Sequence, residues 1–269
     1  MFVIDVPYFN LDHIYNSGQA PRWIKLKESK YVIAHKDKVL KIEQVRDRSD
    51  WTKYRLIFSC TEEEFFNIWF EYFDLRMDCL AENSKIKRLG GKFKVPANRG
   101  FGIHILKQDP FEAYILCKII TNAGYQKAFA AMNHIAQVCG TSHTQNMREA
   151  GKITWYEFPT PEMILENFDN LKRMGKINAW LKKLCLAIIN DGFDVTTTDN
   201  ELFRLFAMHD LEVFPLAGIE ETLAKNFDCE PDEFADWHLD DVENKGLVYL
   251  YILLHVKNPP EEVLIRGFN

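Results

Sequence analysis

The hydrophobic pattern of this 269-residue chain changes its period once, close to residue 60, and this change constrains the fold more than any other feature. Residues 2–59 alternate apolar and polar side chains and are rich in β-branched and aromatic residues, which is typical of half-buried strands. Leu11 to Ser17, followed by Gly18, predicts one short helix within this region. The sequence therefore predicts an antiparallel sheet at the N-terminus.

Beyond residue 60 the pattern is helical. Thr61-Glu62-Glu63-Glu64 and Asp109-Pro110-Phe111-Glu112 have the form of capping boxes, in which a side chain caps the first turn of a helix. Further helices are predicted over Tyr125–Val138, from Thr160, and over Ile177–Asn190, Asp199–Met208, Ile219–Phe227 and Val242–Val256. We predict an α+β chain with an antiparallel sheet domain over residues 1–75 and an all-helical domain over residues 76–269.

The composition, 47% hydrophobic and 27% charged residues, is typical of an intracellular globular protein. No apolar run approaches the roughly 18 residues of a membrane span, and the charged N-terminus does not resemble a secretion signal. We therefore expect a cytoplasmic location and no membrane contact. The six cysteines have no metal-ligand spacing, which predicts buried thiols and neither a metal site nor a cofactor.

The net charge of -6 is distributed unevenly along the chain. Residues 199–243 carry a net charge of -12, and the remainder carries +6. Two basic stretches in the remainder are candidates for phosphate contact, although a solvated surface is the alternative interpretation of each. The first contains Lys85, Lys87, Arg88, Lys92, Lys94 and Arg99, and the second contains Lys172, Arg173, Lys176, Lys182 and Lys183.

Two segments carry a family resemblance: Ser17-Gly18-Gln19-Ala20-Pro21-Arg22-Trp23 and Gly102-Ile103-His104-Ile105-Leu106-Lys107-Gln108-Asp109-Pro110. They resemble two signatures of the 8-oxoguanine DNA glycosylases, a family within the helix-hairpin-helix glycosylases. The segments 72–75 and 205–215 resemble the same family in the same order. The resemblance implies a TATA-binding-protein-like sheet domain, a helical glycosylase domain and a role in base-excision repair. It also implies that a damaged base leaves duplex DNA and enters a pocket between the two domains.

The chemistry implied by the resemblance needs a lysine that attacks the sugar and an aspartate that assists it, which gives glycosylase and lyase activity. The family lysine aligns with Thr198 and the family aspartate with Ala217. No lysine lies between Lys183 and Lys225. The interval from Gly175 to Pro215 also lacks the Gly-hydrophobic-Gly turn of the DNA-binding hairpin. We therefore expect a truncated hairpin and the loss of both catalytic groups.

The resemblance also assigns a base pocket. Gly18 matches the glycine whose backbone contacts the damaged purine, although a glycine after a short helix serves equally as a turn. Asn122 matches an asparagine that fills the space left by the base. Tyr249 and Leu253 stand where the family has a glutamine and a phenylalanine that contact the base.

Three hypotheses follow. The first is a glycosylase-like protein that binds double-stranded DNA, associates with the nucleoid and is impaired or inactive in lysine-dependent glycosylase and lyase chemistry. The second is an active glycosylase of altered specificity, in which Asp199 activates water or the fold brings a distant lysine close to the site. A helix N-cap is the alternative role of Asp199. The third is an interaction module that has lost DNA binding and whose acidic segment 199–243 binds a basic protein or mimics nucleic acid.

Overall fold

A five-stranded antiparallel sheet forms the N-terminal part of the chain, with the strand order β1-β5-β4-β3-β2. The computed structural model describes residues 1–46, 53–90, 93–123, 125–148, 150–172, 174–194 and 247–248. The elements of the sheet part are β1 (Phe2–Pro7), α1 (Leu11–Asn16), β2 (Ile24–Lys27), β3 (Lys30–His35), β4 (Lys38–Arg46) and β5 (Lys53–Phe58). The predicted strands and the short helix are confirmed.

Successive side chains of a strand point to opposite sides of a sheet, and in the first four residues of β3 the side chains on both sides are buried. On β3, Tyr31 and Ile33 enter the main N-terminal core with Phe9, Ile14 and other residues of the helical face. Val32, between them in sequence, enters a second core on the other side of the sheet. Alternate side chains of β3 therefore pack into two different cores, one on each side of the sheet.

The helix after the sheet contains a π-helical turn. It consists of α2 (Glu62–Glu64), the π-turn (Phe65–Trp69) and α3 (Phe70–Tyr72). Thr61 caps it as predicted, because its hydroxyl accepts a hydrogen bond from the Glu64 N–H at 3.1 Å. The Glu64 carboxylate accepts a bond from Trp69 Nε1 at 2.9 Å, which fixes a fully buried indole in the core.

In the described residues, the second part of the chain is helical apart from one hairpin, and its core includes Leu116, Met132 and Leu181. Leu247 and Val248 are helical and buried in the same core. The remaining elements are α4 (Cys79–Arg88), α5 (Lys94–Arg99), α6 (Pro110–Ala123), α7 (Tyr125–Cys139), β6 (Ser142–Met147), β7 (Gly151–Tyr156), α8 (Pro161–Glu166), a 3-10 turn (Phe168–Asn170) and α9 (Lys176–Asp191).

The predicted fold class is confirmed: a sheet domain is followed by a helical domain. The β6–β7 hairpin is an addition that the sequence analysis did not predict within the helical part. It packs through Met147 and Trp155 against Val32 and Val39 of the sheet. The division at residues 75 and 76 stays a prediction. None of the helices in the described ranges combines the length and the apolar character that a membrane crossing requires.

The buried-thiol interpretation is confirmed for five cysteines, which are free and buried: Cys60, Cys79, Cys117, Cys139 and Cys185. Burial raises the pKa of the Cys60 and Cys139 thiols to about 11 and that of Cys185 to about 12. Thiols with such pKa values are weak nucleophiles. Within the described part of the chain, no group of three His, Cys, Asp or Glu side chains could hold a metal ion.

Candidate functional site

The two motif segments lie against each other at the junction of the sheet and the helical part, and Gln19 joins them. The Gln19 amide nitrogen donates to the His104 carbonyl at 2.9 Å, and its oxygen accepts from the Leu106 N–H at 2.8 Å. The Gln19 carbonyl accepts from Gln108 Nε2 at 2.8 Å. Gln19 is completely buried. These bonds satisfy its polar atoms inside the protein, so they serve the junction rather than a ligand.

Arg22, in the first motif segment, binds Glu112, which lies two residues beyond the second segment. Its guanidinium donates two hydrogen bonds to the Glu112 carboxylate, at 2.6 and 2.9 Å, and a third to the Tyr156 carbonyl at 2.6 Å. Its carbon Cζ lies 5.7 Å from the centre of the Phe158 ring. Burial lowers the pKa of Arg22, but the adjacent Glu112 carboxylate outweighs this effect and the pKa lies above its usual value. We call this arrangement the Arg22–Glu112 clasp.

Glu112 illustrates how the capping prediction and the structure differ in detail. Asp109 caps α6, since its carboxylate accepts bonds from the Phe111 and Glu112 N–H groups at 3.0 and 3.1 Å. The Glu112 side chain pairs with Arg22, whereas in a complete capping box it would return to the backbone of the cap. The sequence therefore predicted the helix start but not the partner of Glu112.

Gly102 lets the second motif approach the first part of the chain closely. Its φ is +89°, and a Cβ at this position would lie 3.0 Å from Asn10 Cβ and 3.1 Å from Asn10 N. The Gly102 carbonyl accepts a bond from the Asn10 N–H at 2.8 Å. Trp23, in the first motif, donates from Nε1 to the Tyr72 hydroxyl at 2.9 Å. Both motifs thus contribute residues that hold the two parts together.

A cavity of about 870 Å³ lies in the helical part, away from the motif segments. It is formed where the end of α6, one face of α7 and the first turn of α9 meet. Its lining residues are Ala123, Lys127, Ala130, Ala131, His134, Lys172, Met174, Gly175, Lys176, Ile177 and Trp180. The volume falls in the range of small-molecule binding sites. We call it the cationic cavity, because three of its lining residues are lysines.

Two features of the described residues contribute positive charge to the cationic cavity. Lys127, Lys172 and Lys176 are exposed, and within the described residues none of them forms an ion pair. The helix α9 also begins at Lys176, and Gly175 provides no side-chain cap for it. The N-terminus of a 16-residue helix adds positive potential at the same place. The arrangement can attract an anion such as phosphate.

Two smaller cavities lie at the junction of the sheet and the helical part. One, between β3, α7 and β7, has a volume of about 40 Å³, and the other, beside the Arg22–Glu112 clasp, about 10 Å³. These volumes suit one or two water molecules. The base pocket expected between the two domains also involves Tyr249 and Leu253, which lie outside the described residues.

The structure places the predicted base-pocket residues on two elements. Gly18 follows α1 and is buried. Its φ is +86°, and its N–H donates to the Tyr15 carbonyl at 3.3 Å, which is the geometry expected of a glycine in a turn. It does not line the cationic cavity. Asn122 lies in the last turn of α6, next to Ala123, which does line it. A contact of Gly18 or Asn122 with a base stays a prediction.

The first basic stretch lies on α4 and α5 and does not line the cationic cavity. Lys85 forms an ion pair with Glu82 at 2.9 Å, and the Lys87 ammonium lies 5.6 Å from the centre of the Phe101 ring. Arg88, Lys94 and Arg99 follow on the same two helices. Phosphate contact by this stretch stays a prediction, and Lys92 lies outside the described residues.

The second basic stretch contributes Lys172 and Lys176 to the cationic cavity. Sequence analysis proposed this stretch but missed Lys127, His134 and Trp180, because α7 and α9 are distant in sequence and only the fold brings them together. Thr198, Asp199 and Ala217 lie outside the described residues, as do the acidic segment 199–243 and most of the interval in which the hairpin turn is predicted to be missing.

The fold is similar to those of solved DNA glycosylases. The 8-oxoguanine glycosylase/lyase of Clostridium acetobutylicum matches with a TM-score of 0.76 and 20% identity, over 94% of this chain and 96% of that chain. MBOgg1 in complex with a low-affinity DNA ligand matches with a TM-score of 0.73 and 18% identity, over 94% and 95%. The 3-methyladenine DNA-glycosylase of Archaeoglobus fulgidus matches with a TM-score of 0.68 and 13% identity, over 95% and 98%. No curated protein sequence matches the chain.

These similarities define the class: the chain has the fold of the 8-oxoguanine glycosylases, with an N-terminal sheet domain and a helical domain. Residues 1–114 also match the family model described as 8-oxoguanine DNA glycosylase, N-terminal domain. This range contains both motif segments. This match confirms, over residues 1–114, the resemblance recognised in the sequence.

Proposed function

We propose that this protein binds double-stranded DNA on the scaffold of an 8-oxoguanine glycosylase and contacts its phosphates through the cationic cavity. The observation that carries the proposal is the convergence of Lys127, Lys172 and Lys176 at the N-terminus of α9, with no ion-pair partner among the described residues. Cations left unpaired at a concave surface favour a polyanionic ligand. Related folds were solved with DNA: MBOgg1 and the Clostridium acetobutylicum enzyme.

The proposal includes the absence of lysine-dependent chemistry. A Schiff base requires an amine with a depressed pKa, positioned at the sugar. The sequence offers Thr198 at the family lysine position and Ala217 at the aspartate position. Neither a hydroxyl nor a methyl group can form the covalent imine. The protein would then recognise DNA of the base-excision pathway without cleaving it by this route.

DNA affinity tests the first half of the proposal. A fluorescent duplex is titrated with the protein at several salt concentrations, and the slope of log Kd against log salt counts the phosphate contacts. Replacing Lys127, Lys172 and Lys176 together by alanine is expected to reduce this slope by about 3. Lys183→Ala is the matched control, because Lys183 is an exposed lysine of α9 outside the cavity. Undetectable binding at low salt, or a triple variant that equals the wild type, contradicts the proposal.

Borohydride trapping on a duplex with an abasic site tests the second half. No covalent adduct is expected, and a trapped adduct overturns the claim that lysine chemistry is absent. Base release from a panel of damaged duplexes, abolished by Asp199→Asn, would favour the water-activating glycosylase instead. Absence of DNA binding together with capture of a basic protein would favour the interaction module.

A further inference from the structure

The two edges of the N-terminal sheet differ in how well they are protected against pairing with a further strand. An exposed edge presents backbone N–H and C=O groups to which another strand can bond, and proteins commonly protect such edges with lysines, bulges or short strands. The edge strand β2 has all three features, because it has four residues, contains Lys25 and Lys27 and shifts its register with β3 between these two lysines. This edge is therefore unsuited to a partner strand.

The opposite edge strand, β1, lacks this protection. Its six residues pair with β5 in one uninterrupted register, and β5 is its only partner strand in the part of the chain that the structure describes. β1 contains no lysine, and Arg55 of β5 binds its single charged side chain, Asp5, at 2.9 Å. Pro7 has no N–H, so it confines further pairing to the residues before it. The backbone of Phe2 to Val6 is thus suited to a further strand.

Apolar side chains on both faces of the sheet flank this edge. On the face opposite the main N-terminal core, Val3 is 44% exposed and lies beside Ile57, its partner in register on β5. On the other face, Phe66 of the π-turn is 52% exposed, and the centre of its ring lies 5.8 Å from that of Phe2. A strand added to β1 would cover Val3 and Phe66 together. Removal of this apolar surface from water favours association.

The charges beside β1 indicate which strand fits this edge. The exposed Lys53 of β5 lies opposite the last residue of β1. The exposed Glu62 and Glu63 lie near its start, because the ring of Phe2 packs 4.5 Å from that of Phe65 in the next turn of the helix. When two copies pair β1 in antiparallel orientation, the start of each strand lies beside the end of the other. Each Lys53 is then brought towards the two glutamates of the partner copy, so the charges are complementary.

We propose that two copies of this chain associate by antiparallel pairing of their β1 strands, which joins the two five-stranded sheets into one. The interface is isologous, since each copy contributes the same edge. A second copy fits better than an unrelated extended segment, because two-fold symmetry matches the charges at both ends of β1 at once. β1 contributes no residue to the cationic cavity, so the association is separate from the proposed DNA binding.

Sedimentation equilibrium of the full chain over a range of concentrations tests the proposal, and a reversible dimer is expected. Val3→Asp is expected to raise the dissociation constant of the dimer at least about tenfold, because it adds like charge beside Asp5 of each copy at the paired edge. Leu26→Asp is the matched control, since Leu26 is a partly exposed apolar residue of the protected edge strand β2. Circular dichroism and urea unfolding verify that both variants fold.

The outcomes of this comparison are distinct. A dimer that Val3→Asp weakens and Leu26→Asp leaves intact supports pairing through β1. A chain that stays monomeric at millimolar concentration overturns the proposal and leaves an extended segment of another protein as the occupant of the edge. An equal effect of the two variants, or no effect of Val3→Asp, also overturns it.

Charge reversal tests the antiparallel orientation, and its surface variants decide the question even if Val3→Asp fails to fold. Lys53→Glu alone, and Glu62→Lys together with Glu63→Lys, are each expected to weaken the dimer several-fold, because like charges then meet across the interface. The variant that combines all three changes is expected to return towards the wild-type dissociation constant. Lys36→Glu, in the exposed turn between β3 and β4, is the control and should have no effect. Losses that add in the combined variant contradict the proposed pairing.

Discussion

Removing the positive charge of the Arg22–Glu112 clasp is expected to be among the most destabilising single changes in the N-terminal domain. Arg22 and Glu112 side chains are only 7% and 8% exposed, and they form two hydrogen bonds at 2.6 and 2.9 Å. Arg22→Met keeps much of the side-chain volume but leaves the Glu112 carboxylate buried without its counter-ion. It also removes the donor to the Tyr156 carbonyl.

The expected loss in the free energy of unfolding follows from the burial of the Arg22–Glu112 ion pair. Deleting one partner of a buried ion pair costs about 3–5 kcal/mol, because the desolvated partner remains uncompensated. Replacing both partners by apolar residues removes that penalty and is often close to neutral. We therefore expect Arg22→Met to lower the free energy of unfolding by about 3–5 kcal/mol. The double variant Arg22→Met, Glu112→Met is expected to recover at least about 2 kcal/mol of this loss.

The assay is urea unfolding at neutral pH, followed by tryptophan fluorescence, for the wild type, both single variants and the double variant. A double-mutant cycle gives the coupling energy between the two side chains. A coupling energy below about 0.5 kcal/mol would refute the reasoning, since independent sites are additive within that margin. A double variant less stable than either single variant would also refute it.

Two further substitutions test how the burial of a histidine and the close packing of a glycine affect stability. Burial lowers the pKa of His35, which packs against Trp69 and Tyr72, to about 4. Because the unfolded state binds more protons between this value and about 6.5, stability is expected to fall by about 1–2 kcal/mol from pH 7.5 to 5, and His35→Phe should remove this loss. An identical pH dependence in the variant would contradict the assignment. Gly140→Ala would place a Cβ 2.0 Å from the Glu157 carbonyl, so a loss of at least about 1–3 kcal/mol is expected by thermal or urea unfolding, and an unchanged midpoint would contradict it.

Local patterns in the sequence predicted most of the described elements because the responsible forces are local. Alternation specified the strands, and the side chains of Thr61, Asp109 and Thr160 marked the helix starts that they cap in the structure. The β6–β7 hairpin escaped prediction because β6 has little alternation. Only Met147, at its end, is buried, and most of the polar residues before it are exposed.

The candidate site was less predictable because its residues come together only through tertiary packing. Lys172 and Lys176 belong to a basic stretch that is visible in the sequence, but Lys127 lies on another helix. Nothing in the sequence pairs His134 with Trp180, and the unsatisfied state of their ring nitrogens is a property of the packed structure. The partner of Arg22 was equally hidden, since Glu112 is 90 residues away.

The central residues of the first motif segment form hydrogen bonds within the protein and so stabilise the fold. The polar groups of Gln19 bond to the second motif, and those of Arg22 bond to Glu112 and Tyr156. Trp23 donates to Tyr72. Because these groups already have protein partners, the motifs contribute to stability independently of any catalytic group. Variants of the Arg22–Glu112 clasp should therefore change the free energy of unfolding, whereas variants of the cationic cavity should change DNA affinity at constant stability.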